Sequence, residues 1–361
     1  MSKLNEGDVV EGVFAIGLSL FIAEGEINKT KLNKLRLEIE PEMFTKGRFT
    51  HTIAKNVTRK SGSYPADMFT VVVEIRLKPS SVVGAFGKDY NKIYYSKSKD
   101  IGKIDDKINE MIKSVTTSAY SAKVKKLVNT FLQNNKKEKV TFVITADGIA
   151  GEASGGEVKG DVLLNVYGEI KGKRTLIKGG SIPFSLKSGS VTVANLSPYR
   201  GMVDIAKAME IDWNGEEKYE RLAKPFSGAA EMKAKFGLIV KMYDELKKEV
   251  VKKSKAGGSQ GKKFTSNCFD FLGKSIFGSD LATVVDIQEN KVKEITPEYF
   301  EILKSRVEFQ IEAKGNNLVF KDKKSGKPIF QIRTKLRPPP ANEAKFYLEV
   351  GKGIYAPEVL N

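Results

Sequence analysis

The chain has 361 residues, of which 40% are hydrophobic and 29% charged, which is the balance of a globular protein with a sizeable core. Its formal net charge of +17 favours a polyanionic partner, with nucleic acid as the first candidate and an acidic membrane surface as the other. A single cysteine, Cys268, excludes an intrachain disulfide, and a single histidine, His51, excludes histidine-rich zinc sites and HEXXH proteases.

The alternative meaning of the positive charge is a lysine-rich surface that is simply solvated. No signal peptide is evident, and the longest apolar segment, residues 9–23, is shorter than the roughly 20 residues that span a bilayer. Of the two partner classes we expect DNA and no membrane, and the single cysteine suits a reducing compartment, so the sequence predicts a cytoplasmic protein. We expect an N-terminal region at 1–100 that packs on a core at 101–253, followed by a C-terminal region at 254–361.

The first half of the chain begins with a predicted helix at residues 6–24 that is apolar on nearly all sides and therefore buried. Its internal acid, Glu11, would be costly to bury unless it is paired or binds a metal. An exposed helix edge is the equal alternative for this residue. Three further elements are predicted before residue 150: a strand at 69–77, one or two helices at 104–134 and a strand at 140–145.

Two apolar runs at residues 162–167 and 181–186, joined by a basic segment rich in glycine, predict a β-hairpin. Asp161 opens the first run, and Ser185, Leu186 and Lys187 end the second. Residues two apart in a strand share a face, so Ser185 and Lys187 lie together. An acid and a lysine at adjacent strand ends suit metal-assisted cleavage of a phosphodiester.

The chemistry explains why these residue types matter. Mg²⁺ (with Mn²⁺ as an alternative ion) prefers oxygen ligands and lowers the pKa of a bound water. Asp161 would be a ligand, and the main-chain carbonyl of Leu186 a further one. Lys187 would position or deprotonate the water and offset charge in the transition state.

These residues resemble the PD-(D/E)xK nuclease superfamily, the fold of many restriction enzymes and phage nucleases. Its pattern is an acid at the start of one strand, then acid-any-Lys on the next. Asp161 matches the first acid and Lys187 the lysine, whereas Ser185 stands where the family usually has Asp or Glu. The close resemblance covers residues 155–189. An ordinary hairpin with a surface Asp and a surface Lys is the alternative.

The resemblance implies an α/β (α+β) fold with a restriction-endonuclease-like mixed central sheet, flanked by helices. It implies a phage-type, Mg²⁺-dependent DNA endonuclease, which would act in the host-cell cytoplasm if phage-encoded. Because two strands must be cut, a homodimer is an expected assembly. The rival hypotheses are a nucleic-acid-binding protein whose nuclease site has decayed and a phage structural or packaging protein.

Ser185 leaves this site one carboxylate short, and the resemblance implies that another element supplies it. Glu11 is one candidate, because such proteins often carry an active-site acid on a helix before the catalytic strands. Glu157 lies in the loop before Asp161. Asp204 lies off the apolar stripe of the helix predicted after the hairpin. For each of the three, a solvated acid is the alternative.

The C-terminal half is predicted to contain helices at 216–253, a linker-like AGGSQGKK stretch, and a meander of four strands at 307–350. The meander could extend the sheet of the hairpin. Basic residues on several elements are candidates for DNA phosphate contacts, with an unliganded basic surface as the alternative. The candidates are Lys159, Lys171, Lys173, Arg174, Arg200, Arg333 and Arg337.

Overall fold

A computed structural model describes the chain at residues 11, 14–15, 30, 44–45, 48–56, 69–77, 119–135, 138–148, 160–188, 192–196, 198–213, 229–288, 291–337 and 343–350. The helices are α1 Ala119–Asn134, α2 Pro198–Ala208, α3 Ala229–Ser254, α4 Gly258–Phe277 and α5 Pro297–Arg306. The strands are β1 Phe44–Thr45, β2 Arg48–Asn56, β3 Phe69–Leu77, β4 Val140–Asp147, β5 Val162–Ile170, β6 Lys173–Ser188, β7 Thr192–Leu196, β8 Thr283–Gln288, β9 Lys291–Ile295, β10 Phe309–Lys314, β11 Asn317–Asp322, β12 Pro328–Arg337 and β13 Glu343–Val350.

The chain forms two compact units, and each combines two separate stretches of sequence. The first unit contains Met1–Gly189 and Phe277–Glu294, and the second contains Ser190–Ile276 and Ile295–Asn361. This division differs from the three consecutive segments predicted, because the C-terminal strands belong with residues that directly follow the hairpin.

The first unit contains an eight-stranded sheet in the order β1-β2-β3-β4-β5-β6-β8-β9. The pairs β3–β4 and β6–β8 are parallel, whereas β4–β5 and β5–β6 are antiparallel, so the sheet is mixed. The strand predicted at 69–77 is confirmed, and the strand predicted at 140–145 extends to residue 147. Together with the helices, this sheet confirms the predicted mixed α/β class.

Helix α1 packs on the first unit's sheet through aromatic and aliphatic side chains. Val124 and Leu132 are buried, and Phe131 meets Phe142 of β4 edge to face, with ring centroids 5.8 Å apart. A Cβ at Gly168 of β5 would lie 2.3 Å from the Phe131 ring, so only glycine admits this contact. The helix predicted at 104–134 is therefore seen from residue 119, and its earlier part lies outside the described residues.

The N-terminal helix is described at three positions, Glu11, Phe14 and Ala15, and the rest of the predicted span 6–24 lies outside the described residues. Phe14 is fully buried against Phe184 of β6, with ring centroids 5.1 Å apart. This contact places the helical segment against one face of the hairpin.

The hairpin is confirmed, but its strands are longer than predicted. The segment 168–180, expected as a basic turn, is mostly strand, and the turn itself is Lys171–Gly172 with φ of 52° and 77°. Residues 171–176 are all exposed, so this part of the hairpin lacks the alternation of apolar and polar residues that predicts a strand.

The second unit contains a five-stranded sheet in the order β10-β11-β12-β13-β7 with antiparallel pairs throughout. The four-stranded meander is confirmed. The expectation that it extends the sheet of the hairpin is wrong, because its last strand, β13, pairs with β7. The helix predicted after the hairpin is α2, and its stripe is buried as expected at Met202, Ile205, Ala206 and Met209.

The AGGSQGKK stretch is not a linker, because α4 begins at Gly258, whose φ is 62°. Helix α4 buries Cys268 and Phe269, and the Phe269 ring stacks on Phe309 of β10 at 4.5 Å. Within the described ranges, no helix has the length and hydropathy needed to cross a bilayer.

Candidate active site

Asp161 lies immediately before β5, where its carboxylate continues the hydrogen bonding of the hairpin past the strand end. Its main-chain N–H donates to the Phe184 carbonyl at 2.7 Å. Its Oδ2 accepts the Leu186 N–H at 2.6 Å. Phe184 is the last β6 residue that pairs with β5, and Leu186 lies two residues beyond it. The Asp161 carboxylate therefore accepts the Leu186 N–H in place of a backbone carbonyl of β5.

Lys187 reaches this carboxylate from the neighbouring strand. Its Nζ lies 3.9 Å from Asp161 Oδ2, and the two side chains are 24% and 32% exposed. The same Nζ donates to Ser185 Oγ at 2.9 Å, and Ser185 is buried. Asp161, Ser185 and Lys187 therefore form one half-buried cluster, to which Ser185 contributes a hydroxyl in place of the carboxylate usual in the family pattern.

A bulge in β6 changes the register of the hairpin between its turn and its open end. Tyr167 pairs with Leu176, whereas Asn165 pairs with Ser181, so a step of two residues on β5 faces a step of five on β6. Gly180 lies in this excess of three residues. A Cβ there would approach two backbone carbonyl oxygens at 2.8 Å, which requires glycine at this position.

The odd number of extra residues decides which face of the hairpin carries the cluster. Next to the turn, Ile170 pairs with Lys173. If this register continued along the whole hairpin, residue 182 would lie opposite Asp161. Ser185 and Lys187 would then point to the other face. The bulge reverses this, and Asp161, Ser185 and Lys187 share one face, a use of bulges that is common beside active sites.

Two acidic residues have backbone positions next to the cluster: Asp280, just before β8, and Asp286, within β8. Asp280 Oδ2 accepts the Gly160 N–H at 2.9 Å, next to Asp161. A Cβ at Gly160 would lie 2.8 Å from that oxygen, so glycine is required for the contact. Asp286 of β8 is in register with Lys187, and its side chain lies outside the described part of the chain.

The described residues fit a cation site with a single protein carboxylate. Among them, Asp161 Oδ1 has no hydrogen-bond or ion-pair partner, and they contain no group of three acidic, His or Cys side chains placed to hold a metal. The N–H and C=O of one strand residue point to the same side, so the Leu186 carbonyl is directed towards the Asp161 side of β6. Mg²⁺ accepts such a site, because it retains waters and uses substrate phosphate as further ligands.

The proposed second acid is not identified by the described contacts. Glu11 lies one helical turn before Phe14, which packs on the face of β6 opposite Ser185 and Lys187. Asp204 is an exposed residue of α2 in the second unit. Glu157 lies outside the described residues. Their roles as ligands stay predictions.

Two of the basic residues predicted to contact DNA in the hairpin already have acidic partners. Arg174 binds Glu74 through both terminal nitrogens, at 3.1 and 3.4 Å, and its Nε is 3.7 Å from Glu169. The pKa of Arg174 is raised above its ordinary value, mainly by the hydrogen bond to Glu74. Lys171 pairs with Glu138 at 3.1 Å.

Arg333 of β12 also has a partner within its own sheet. It forms an ion pair with Glu349, which is only 4% exposed, and its guanidinium lies 4.5 Å from the Tyr347 ring centroid. Gln331 donates to the other carboxylate oxygen of Glu349 at 2.5 Å. Arg333 therefore neutralises a buried acid, and a phosphate contact would have to compete with this pair.

The other basic candidates have fewer described contacts. Lys173 is exposed on β6. Lys159, and the side chains of Arg200 and Arg337, lie outside the described part of the chain.

Sequence reasoning missed Asp280, which follows Gly160 by 120 residues and carries no local signal. Comparisons with protein-family models, with curated proteins and with solved structures found no match.

Proposed function

We propose that this chain is a Mg²⁺-dependent DNA endonuclease with a restriction-endonuclease-like fold and a Ser-Leu-Lys variant of the PD-(D/E)xK motif. The observation that carries the proposal is the approach of the Asp161 carboxylate and the Lys187 ammonium, 3.9 Å apart at the ends of neighbouring hairpin strands. The order of α1, β4, the hairpin and α2 along the chain agrees with the order of elements expected for the superfamily core.

The residues divide the work of phosphodiester hydrolysis as follows. Asp161 Oδ1 and the Leu186 carbonyl would hold Mg²⁺, or Mn²⁺ in its place. The ion, when bound, polarises the phosphate and lowers the pKa of a water. Lys187 orients that water or offsets the charge that develops on the phosphate oxygens. Ser185 accepts a hydrogen bond from Lys187 and so fixes the direction of the ammonium.

A second carboxylate from Glu11, Glu157 or Asp204 belongs to the proposal. Cutting both DNA strands would require two such centres, which is the reason to expect a homodimer, and the host-cell cytoplasm is the proposed compartment. The uncharged Ser185 favours one alternative function, a nucleic-acid-binding protein whose nuclease site has decayed.

Conversion of supercoiled plasmid to nicked or linear DNA, with Mg²⁺ or Mn²⁺ and with EDTA, tests the proposal. Lys187→Met removes the ammonium and keeps the length of the side chain. We expect it to lower the cleavage rate at least about 100-fold, as is common for loss of one charge-stabilising group. Lys178→Met is the matched control, because Lys178 is an exposed lysine of the same strand.

Wild-type rates in both variants would remove Lys187 from the chemistry. If the folded wild type leaves plasmid intact with every divalent ion, the chain is not a nuclease. Binding without cleavage would then support the decayed-site alternative or a DNA-packaging role.

A further inference from the structure

The outer face of helix α3, with the residue that directly follows the helix, carries a line of four lysines, and we propose that this line binds the phosphate backbone of DNA. We name Lys241, Lys248, Lys252 and Lys255 the lysine ridge. All four are exposed, and Lys255 directly follows the last helical residue. The inference rests on the proposed function only in taking DNA as the partner, and it concerns binding rather than cleavage.

The ridge lies opposite the face that α3 buries in the second unit. The buried face comprises Ile239, Met242, Tyr243, Leu246 and Val250. With 3.6 residues per turn, the other three ridge lysines project within roughly 40° of Lys241, directly away from that core. At a rise of 1.5 Å per residue, the ridge is roughly 21 Å long. Measured along the axis of a duplex, this length spans about six base pairs.

The charges of the ridge are compensated only in part. Among the described residues, Lys241, Lys248 and Lys255 have no ion-pair partner. Lys252 is 3.7 Å from Glu249, but its side chain is 78% exposed, so this contact leaves its charge available. Asp244 is held by Lys247 at 2.8 Å, whereas the exposed Glu245 lies between Lys241 and Lys248 and offsets part of their charge.

Helix stability explains the arrangement only in part. Like charges three and four residues apart repel one another on a helix, and Lys248, Lys252 and Lys255 have these spacings. The helix dipole favours cations in the last turn, which accounts for Lys252 and Lys255 only. Lys241 and Lys248 lie earlier, where the dipole gives no benefit, and Glu245 is the exposed acid at helical spacing from both. A polyanionic ligand would neutralise these charges and so relieve their mutual repulsion when it binds.

A duplex fits the ridge better than a membrane surface does. A basic amphipathic helix binds a bilayer by inserting its apolar face. The apolar face of α3 is already buried in its own unit, so α3 cannot insert that face into a bilayer. Four point charges in a line instead suit an extended polyanion that is recognised without regard to sequence.

Salt-dependent binding of the full chain to a fluorescent duplex in EDTA tests the ridge, since no cleavage then occurs. The variant has all four ridge lysines changed to Gln. The slope of log Kobs against log[KCl] should become shallower by about 2–4, since each phosphate contact contributes about 0.9. A matched control removes the same four charges at exposed lysines outside the ridge, namely Lys178, Lys274, Lys324 and Lys327. We expect it to change the slope by less than about 1.

Equal slope changes in both variants would show a general charge effect and overturn the proposal, as would no change in the ridge variant. Loss of binding to phosphatidylserine vesicles with full DNA binding would assign the ridge to a membrane and also overturn it. If circular dichroism shows that the quadruple variant loses helix, Lys241→Gln and Lys248→Gln replace it singly, each with an expected slope change of about 0.9.

The result is separable from the nuclease proposal. A wild type that never cleaves, but whose ridge variant loses salt dependence, would refute the nuclease and leave the ridge standing.

Discussion

Replacing Asp161 by Asn and by Ala separates the two tasks that this carboxylate performs. Its Oδ2 accepts the Leu186 N–H at 2.6 Å, a contact that holds the end of the hairpin together. Its negative charge lies 3.9 Å from Lys187 Nζ. An Asn side chain has nearly the same shape and can still accept the N–H, but it carries no charge. Ala provides neither the acceptor nor the charge.

The structure sets the expected loss of stability for each variant. Both side chains of the Asp161–Lys187 pair are partly exposed, so the pair contributes about 0–1 kcal/mol. Replacing a charged acceptor by a neutral one weakens the hydrogen bond by about 1 kcal/mol, and leaving the N–H without a partner costs about 1–3 kcal/mol. We therefore expect Asp161→Asn to lower the free energy of unfolding by about 1 kcal/mol and Asp161→Ala by about 2–3 kcal/mol.

Urea unfolding measures the stability, and plasmid cleavage with Mg²⁺ measures the function. Both variants should lose cleavage by at least about 100-fold, although only the Ala variant should be markedly less stable. Asp212→Asn is the control, because Asp212 is exposed and has no partner among the described residues; its stability should change by less than about 0.5 kcal/mol. Wild-type cleavage by a stable Asp161→Asn protein would show that the carboxylate only closes the strand end, and the catalytic assignment would fail.

Two further predictions concern the packing of each unit. Gly168→Ala should lower the free energy of unfolding, measured with urea, by about 1–3 kcal/mol, because the new Cβ would meet the Phe131 ring, which Phe142 holds in place. Gly237→Ala is the control and should show no such loss, because nothing lies within 4 Å of a Cβ there. Burial raises the pKa of the Cys268 thiol, so the thiol should react with DTNB at pH 8 only after unfolding, and stability from its burial should fall as the pH rises above about 8.5. Rapid reaction of the native protein would contradict this burial.

The local parts of the fold could be predicted because their apolar patterns are continuous. The strand at 69–77 has the predicted bounds, and the C-terminal meander follows its alternating residues. The turn of the hairpin was misplaced because residues 171–176 are exposed on both faces and held by pairing with β5. The glycines near Gly258 suggested a linker, whereas they precede and begin a helix.

Long-range pairing was beyond sequence reasoning. Nothing local in β7 shows that it joins β13, about 150 residues later, and this pairing is what separates the second sheet from the first. The contact between Gly160 and Asp280 has the same character.

The central part of the candidate site was predictable because both halves belong to one hairpin. Asp161 and Lys187 lie at the open ends of adjacent strands, so the hairpin alone brings them together. The prediction nevertheless depended on a feature that the sequence did not reveal. Without the three extra residues near Gly180, Lys187 would face the opposite side of the sheet.

Anomalous diffraction from crystals of the wild type and of Asp161→Asn soaked in Mn²⁺ tests the central claim most directly. We predict an anomalous peak bonded to an Asp161 oxygen in the wild type and none at this place in the variant. Mn²⁺ bound only elsewhere, at a concentration that supports plasmid cleavage, would contradict the claim that Asp161 and Lys187 form the catalytic centre.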